Sequence, residues 1–546
     1  MAAGISSRLL ESLTSDRIVA AVLVLTICSF VIDFTWKPRY PQSLPRVGFG
    51  DSFVGTVKNW FYFATRYNSW VTEGYDKYSR HGRAFVVPSA PSRPQEIVVP
   101  RPQTAWMLEL PDRVLSTKEA HRDALYNDYQ FFGVDDQFPI HTIHKHLARN
   151  IVGLIPGVQE EVHGAVDAAF GKDTENWRSV NLWEAWLGIV PRVTNRILVG
   201  TPLCRNREFL DSQVAFADDV VRNSFIFNMF PRIFQPLVAP IFVLANWWHW
   251  RKSHLVAKPA IDRRLRDMAR KDSGADPSYE PPEDMITWLI RQAQADGLAS
   301  ELNSTMISKR LLPVEFAAIH TTVITGHNLL LDLLSSDPSL NYLATIRDET
   351  ASALANDPTW TKQSLARLHR TDSAIKESMR LSHFARALTH RKVVAPRGIT
   401  NPAEGWHAPR GASLMLDLAG THRDPALYAD PDRYDAWRFW RARNACAGEG
   451  AAAGEGGGVE DAAEVLRVKR LGMVTTSAEY LPFSHGRHAC PGRFFVAHEL
   501  KMVLACLLRD YEIRPLPARP RPMWFGGNVV PPVAARIEVR RRMGTV

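Results

Sequence analysis

The 546 residues, 45% hydrophobic and 23% charged, suffice for one large domain or two to three ordinary ones and exclude global disorder. Five scattered cysteines with no CxxC spacing exclude a disulfide framework and point to a reducing compartment. A net charge of +9 suits a membrane surface or an acidic protein partner; no lysine- and arginine-rich run carries interleaved aromatics, so nucleic acid is not expected.

Residues 1–36 form an N-terminal segment. Within it IVAAVLVLTICSFVI, from Ile18 to Ile32, reads as a retained membrane anchor, since Asp33 and bulky residues follow rather than a small-residue cleavage site. Residues 37–49 carry Pro38, Pro41 and Pro45 and read as a stiff linker. Lys37, Arg39 and Arg46 after the span, against Arg8 and Arg17 before it, lean toward a cytosolic bulk.

The remainder, residues 50–546, reads as mostly α with small β-sheets. Strand-like pieces fall at Ala84–Val87, Ile97–Val99, Ala387–Val394 and Ala534–Arg540. The apolar block from Arg222 to Trp250 is broken by Pro231, Pro236 and Pro240, so it reads either as a segment dipping into a bilayer face or as a helix pair in the core. Residues 443–464, with ACAGEGAAAGEGGG, read as a mobile surface insert in which Cys446 is incidental.

Of three stretches of interest, only the last points to chemistry by its own residues. In EFAAIHTTVITGHN, a threonine hydroxyl can bond back to the preceding helical turn and open it. His320 beside it is either a proton relay or a satisfied core histidine. In KESMRL, Glu377 and Arg380 lie three apart and share a helix face. The third stretch, FSHGRHACPG, holds Cys490. A zinc site would need more ligands than His485 and His488, and a nucleophile would need a base. A thiolate ligand to haem iron is the third option, and it accounts for the neighbours. Pro491 suits the first turn of a helix through RFFVAHELKMVLACLL, whose free N–H groups and dipole lower a thiol pKa. Gly486 and Gly492 let backbone approach a flat macrocycle, and Phe483 can cover the sulfur. Arg487 and His488 are candidates for the haem propionates. His144 and Arg149, in HTIHKHLARN, read as a solvated helix face with a propionate contact as the alternative.

FSHGRHACPG resembles the haem-binding signature of the cytochrome P-450 family, Phe-x-x-Gly-x-Arg-x-Cys-x-Gly. Phe483, Gly486, Cys490 and Gly492 match, and His488 stands where the family has arginine. AAIHTT resembles the family's Ala/Gly-Gly-x-Asp/Glu-Thr-Thr/Ser: Ala317, Thr321 and Thr322 match, Ala318 replaces the glycine and His320 the acid. That variant is similar to one group of fungal members, several of which act in secondary-metabolite pathways.

The resemblance implies a cytochrome P-450 fold, a haem-thiolate monooxygenase domain over 50–546, preceded by a single N-terminal transmembrane helix. It implies haem b with Cys490 as the axial iron ligand and Phe483, Gly486, Arg487, His488 and Gly492 around it. Glu377 and Arg380 would form a buried triad with Arg438 of PDRYDAWRF. Thr321 and His320 would serve proton delivery. Ala317, Phe384, Ala387, Leu388 and Val529, with Asn528 and Val530, would face the substrate. The implied reaction is NADPH- and O2-dependent oxidation of a small apolar scaffold, terpenoid, polyketide or polyketide–peptide hybrid, in fungal secondary metabolism. Electrons would come through an NADPH–cytochrome P-450 reductase, with cytochrome b5 as a further donor. Arg487, Arg493 and Lys501 would give that reductase a basic patch. The implied location is the endoplasmic reticulum membrane, single-pass, with the catalytic domain cytosolic. A haem-thiolate isomerase or dehydratase, which would not need Thr321, and a non-enzymatic haem-binding sensor are the alternatives.

Overall fold

The computed structural model describes residues 37–133, 137–452 and 471–543, together with Val24, Ile27, Cys28, Val31 and Thr35. The helices that position the site are α1 (Phe53–Lys77), α2 (Thr117–Leu125), α3 (Gln137–Phe170), α4 (Leu182–Leu198), α5 (Arg207–Met229), α6 (Gln235–Phe242), α7 (Leu244–Asp272), α8 (Ser304–Leu334), α9 (His369–Leu381), α10 (Arg438–Ala452) and α11 (Arg493–Asp510). Several starts are set by a side chain that accepts a free backbone N–H: Ser52 for α1, Ser116 for α2, Asn181 for α4, Asn206 for α5 and Asn303 for α8.

The main core is helical. Leu311, Ile319, Val323 and Leu329 to Leu331 of α8 pack with apolar residues of α3, α4 and α11. Trp186 of α4 lies flush on Gly326 of α8; a Cβ there would come within 2.4 Å of the indole ring. Only glycine therefore allows the two helices this approach.

The strands are short. They are β1 (Phe85–Val87), β2 (Glu96–Val99), β3 (Leu115–Ser116), β4 (Arg178–Asn181), β5 (Thr389–Val393), β6 (Ile399–Thr400), β7 (His407–Ala408), β8 (Ser413–Leu416), β9 (Tyr511–Ile513), β10 (Met523–Phe525), β11 (Asn528–Val530) and β12 (Arg536–Arg541). One sheet has the order β1-β2-β8-β5-β3, a second β4-β12-β9, and β10-β11 and β6-β7 form two-stranded pairs. Strands β1, β2, β5 and β12 fall where alternation and β-branched residues predict them.

Among the described residues no helix is long and apolar enough to cross a membrane, and most of the segment read as an anchor, Ile18 to Ile32, lies outside them. The insert is not loop throughout: α10 continues through Ala452, as its alanines favour, and residues 453–464 lie outside the described residues. The proline-broken block folds as the end of α5, then α6, then the start of α7. Its inner face is core, with Phe227 and Ala239 buried and Asn223 donating to the Phe242 carbonyl at 3.0 Å and to Asn246 Oδ1 at 2.7 Å. Its outer face leaves Leu237 71% and Ile241 72% exposed.

Candidate active site

Cys490 closes a loop. Its backbone N–H donates to the Phe483 carbonyl at 2.9 Å, and Gly486 turns the chain at φ +75°. Phe483 is buried and Cys490 half-buried. Helix α11 starts at Arg493 with Gly492 as its N-cap, so Pro491 stands ahead of the cap and not in the first turn. The Arg493 guanidinium donates to the Cys490 carbonyl at 2.7 Å.

The electrostatics of the sulfur differ from the sequence expectation. Burial pushes the Cys490 thiol up; the N–H groups of Gly492 and Arg493 and the Arg493 charge oppose it without reversing it. A helix terminus alone therefore does not make this group a thiolate. A metal cation at the sulfur would, because coordination deprotonates a thiol outright.

The surroundings are rich in cations. Arg487 donates to the Leu110 carbonyl, and His488 Nε2 lies 2.9 Å from Asp112 Oδ1. Arg391 of β5 is only 3% exposed, yet its guanidinium donates to the neighbouring His390 carbonyl at 2.8 Å and forms no ion pair among the described residues. Burial pushes Arg391 down to about 10, with Asp112 pulling up and Arg487 down. His121 of α2 is pushed down to about 4 by burial and then by His390, Arg391 and His488. A buried arginine with no ion-pair partner among the described residues, with Arg487, His488 and His121 close by, fits a ligand that brings its own carboxylates, as the two propionates of haem do. Arg391 and His121 escaped the sequence reading. The signal for Arg391 was there: THRKV alternates, and Arg391 falls on the buried side with Thr389 and Val393. His144 and Arg149 are exposed, as a solvated helix face requires.

On α8, Thr321 Oγ1 donates back to the Ala317 carbonyl at 2.7 Å, and Thr325 Oγ1 repeats the pattern onto Thr321. Ala317 is exposed and Thr321 partly so, whereas Ile319, Thr322, Val323 and Gly326 are buried. An accessible stripe on a core helix means open space beside it. His320 turns away from that pattern: its Nε2 lies 2.8 Å from Asp218 Oδ1 of α5, whose side chain is 63% exposed. Its Nδ1 is buried without a partner among the described residues.

Two carboxyls flank this region with little support. Glu315 of α8 accepts from Asn195 at 3.0 Å, Glu499 of α11 from Thr194 at 3.1 Å, and each leaves one oxygen without a partner among the described residues. Burial pushes both up to about 8. Folded, they keep their protons to about pH 8; unfolded, they release them near the ordinary 4.5. The native state holds more protons between those values, so stability falls as pH rises through that window. Glu315→Gln and Glu499→Gln should each raise the melting temperature at pH 8 by roughly 2–4 °C and leave it unchanged near pH 4. Equal effects at both pH values would disprove the assignment.

Comparison with known proteins decides the class. The protein-family model described as Cytochrome P-450 matches residues 115–539. This chain belongs to the cytochrome P-450 family. It is 30% identical over 545 residues to the cytochrome P-450 monooxygenase gloP of Glarea lozoyensis, covering 97% of each chain. It is 30% identical over 510 residues to the cytochrome P-450 monooxygenase htyF of Aspergillus rugulosus, covering 90% of this chain and 72% of that one. With astC of Aspergillus terreus, also a cytochrome P-450 monooxygenase, identity is 29% over 520 residues, covering 92% and 93%. The protein is thus a cytochrome P-450 monooxygenase, a haem-iron oxidoreductase.

In this cytochrome P-450, Glu377, Arg380 and Arg438 come together. Glu377 accepts two hydrogen bonds from Arg380, both at 2.8 Å, and one from Arg438 Nε at 3.0 Å; neither Glu377 nor Arg380 is exposed. Arg380 also donates to the His422 and Pro431 carbonyls, at 2.5 and 2.7 Å. His422 Nε2 in turn accepts from the Leu481 N–H at 3.0 Å, two residues before Phe483. The triad therefore anchors the chain that leads into the cysteine loop.

Phe384 and Val529 also meet: the Val529 N–H donates to the Phe384 carbonyl at 2.8 Å, and Ala385 bridges to Asn528. Ala387 and Leu388 pack against the apolar clusters of the small sheet. The proposed basic patch does not hold as a unit. Lys501 is buried and pairs with Asp372 at 2.6 Å, because its position on α11 faces the α9 side of the core and not solvent.

Proposed function

We propose that this cytochrome P-450 is a membrane-bound haem-thiolate monooxygenase of fungal secondary metabolism, hydroxylating a small apolar scaffold of terpenoid, polyketide or polyketide–peptide type in one or several steps. The observation that carries the haem-thiolate assignment is Cys490, held just ahead of α11, together with Arg391, a buried arginine that forms no ion pair among the described residues. When bound, haem b supplies the activation of dioxygen, drawing electrons that originate in NADPH and arrive through a reductase.

The chain's own residues would do the rest. Cys490 Sγ would ligate the iron, with Phe483 excluding water from the sulfur. Arg391, His121, His488 and Arg487 would hold the propionates. Ala317 would leave space for substrate, and Phe384, Ala387, Leu388 and Val529 would give that space apolar walls. Thr321 holds a proton at Oγ1 on the Ala317 carbonyl and can turn it toward the open side. His320 would pass protons inward from Asp218, which faces solvent.

Two apolar patches support membrane contact. Phe53 (57%), Val54 (62%) and Phe61 (80%) are exposed on α1, and Leu237 and Ile241 on α6. Phe525 packs on Phe225 of α5 while the adjoining Gly526 sits against Phe63 of α1, which links the two patches. Together with the N-terminal anchor, this surface would hold the domain on the cytosolic side of the endoplasmic reticulum membrane, where an apolar substrate partitions.

The deciding experiment expresses the full chain with a fungal reductase, supplies candidate scaffolds under labelled dioxygen, and looks for a product that gains one labelled oxygen atom. Turnover without NADPH would instead identify an isomerase or dehydratase. Absence of both reduction and substrate-linked oxygen use would identify a sensor. The relay has its own test. Asp218→Asn and His320→Phe should each lower product formed per NADPH about tenfold or more and enlarge the solvent isotope effect. Unchanged coupling and isotope effect would remove His320 from proton delivery.

A further inference from the structure

At the far end of α11 from Cys490, a second group of ligand-type side chains meets. Cys506 and Asp510 lie four apart on one face of α11, and His163 of α3 faces them. Cys506 Sγ is 3.4 Å from His163 Nδ1 and 3.6 Å from Asp510 Oδ2, and all three donor atoms lie within 4.8 Å of one another.

We propose that His163, Cys506 and Asp510 form a zinc site that bolts α3 to α11. A tetrahedral zinc ion with one sulfur at about 2.3 Å and nitrogen and oxygen at about 2.0–2.2 Å places neighbouring donors about 3.3–3.7 Å apart. The two sulfur-centred edges already have that length, and the His163–Asp510 edge, at most 4.8 Å, is the one that would close around the ion. The donor set of one thiolate, one imidazole and one carboxylate suits zinc, which takes all three, and excludes magnesium or calcium, which take oxygen alone. On binding, the zinc–sulfur bond forms as the Cys506 thiol gives its proton to solvent. The thiolate and carboxylate then balance the dication, and water fills the fourth position.

The surroundings fit this use. Arg509 donates to both Asp510 oxygens, at 2.6 and 3.0 Å, and so fixes the carboxylate that points Oδ2 at the sulfur. Cys506 and Asp510 are buried, while His163 is only half-buried and gives the ion an entry. Thirteen residues of helix, about 20 Å, separate Cys506 from the start of α11, so the site is distinct from the monooxygenase centre. Its effect would be to stiffen the helix that begins beside Cys490.

The test uses tag-free holoenzyme, incubated with zinc chloride and dialysed, with zinc and iron counted by mass spectrometry. Stoichiometric zinc is expected, and X-ray absorption at the zinc edge should show one sulfur neighbour at about 2.3 Å. Cys506→Ala and His163→Gln should each weaken zinc binding at least about tenfold. His163→Gln, at the half-buried position, keeps the test valid if Cys506→Ala does not fold. No retained zinc, equal retention by the folded variants, or an absorption spectrum without sulfur would overturn the proposal.

Discussion

Replacing Cys490 with serine will remove the ferrous–carbon monoxide absorption band characteristic of the haem-thiolate family and lower product formation by about a thousandfold or more. Serine preserves the size of the side chain, and the loop's defining backbone bond to Phe483 involves only main-chain atoms. The fold should therefore survive, which far-ultraviolet circular dichroism will check. What changes is the donor. A thiol is a soft ligand that a bound cation readily deprotonates, whereas an alcohol is hard and holds its proton far more tightly. The N–H groups of Gly492 and Arg493 ease negative charge on sulfur but do not outweigh burial, so they would not bring a hydroxyl to ionise. A Cys490→Ser protein that kept the band would falsify the ligand assignment.

Removing the Glu377 carboxylate should cost about 3–5 kcal/mol, because Arg380 stays fully buried with its countercharge gone. Glu377→Ala is expected to lower the melting temperature by roughly 3–5 °C and to yield little haem-loaded protein. The second effect follows from the route of the bonds: Glu377 holds Arg380, Arg380 holds the His422 carbonyl, and His422 holds Leu481 at the entrance of the cysteine loop. Arg438→Gln should be milder. Arg438 is partly exposed, and its loss leaves the Glu377–Arg380 pair intact. Thermal scans and haem content measured on both variants decide the matter; equal losses would show that the triad has no ranking of this kind.

The two arginines of the triad show how legibility depends on distance along the chain. Glu377 and Arg380 share a helix face at spacing three, but other Glu-x-x-Arg spacings such as Glu119/Arg122 occur, so the family's motif order singled this pair out, and Arg438 joined it only through the family pattern. His488 was legible as an oddity, standing in an arginine's place, but its partner Asp112 lies 376 residues earlier. Lys501 read as a surface charge because lysine usually is one; its pairing with Asp372 depends on how α11 is rotated in the core. Arg391 was overlooked because an arginine in a short strand carries no motif, although its place in the alternation put it inside.

The sequence by itself determined the class of the fold, four of its short strands, the cysteine loop, the threonine on α8 and the family to which they belong. These features rest on local spacing, where periodicity, turn residues and helix faces act within a few residues. Tertiary structure alone decided the Asp218–His320 contact, the Arg391 and His121 cluster, the burial that pushes up the Cys490, Glu315 and Glu499 groups, and the meeting of His163 with Cys506. Hydrogen bonds and ligand geometry act over about 2–4 Å, and desolvation depends on what surrounds a group on every side. Neither is set until elements far apart in the chain have packed together.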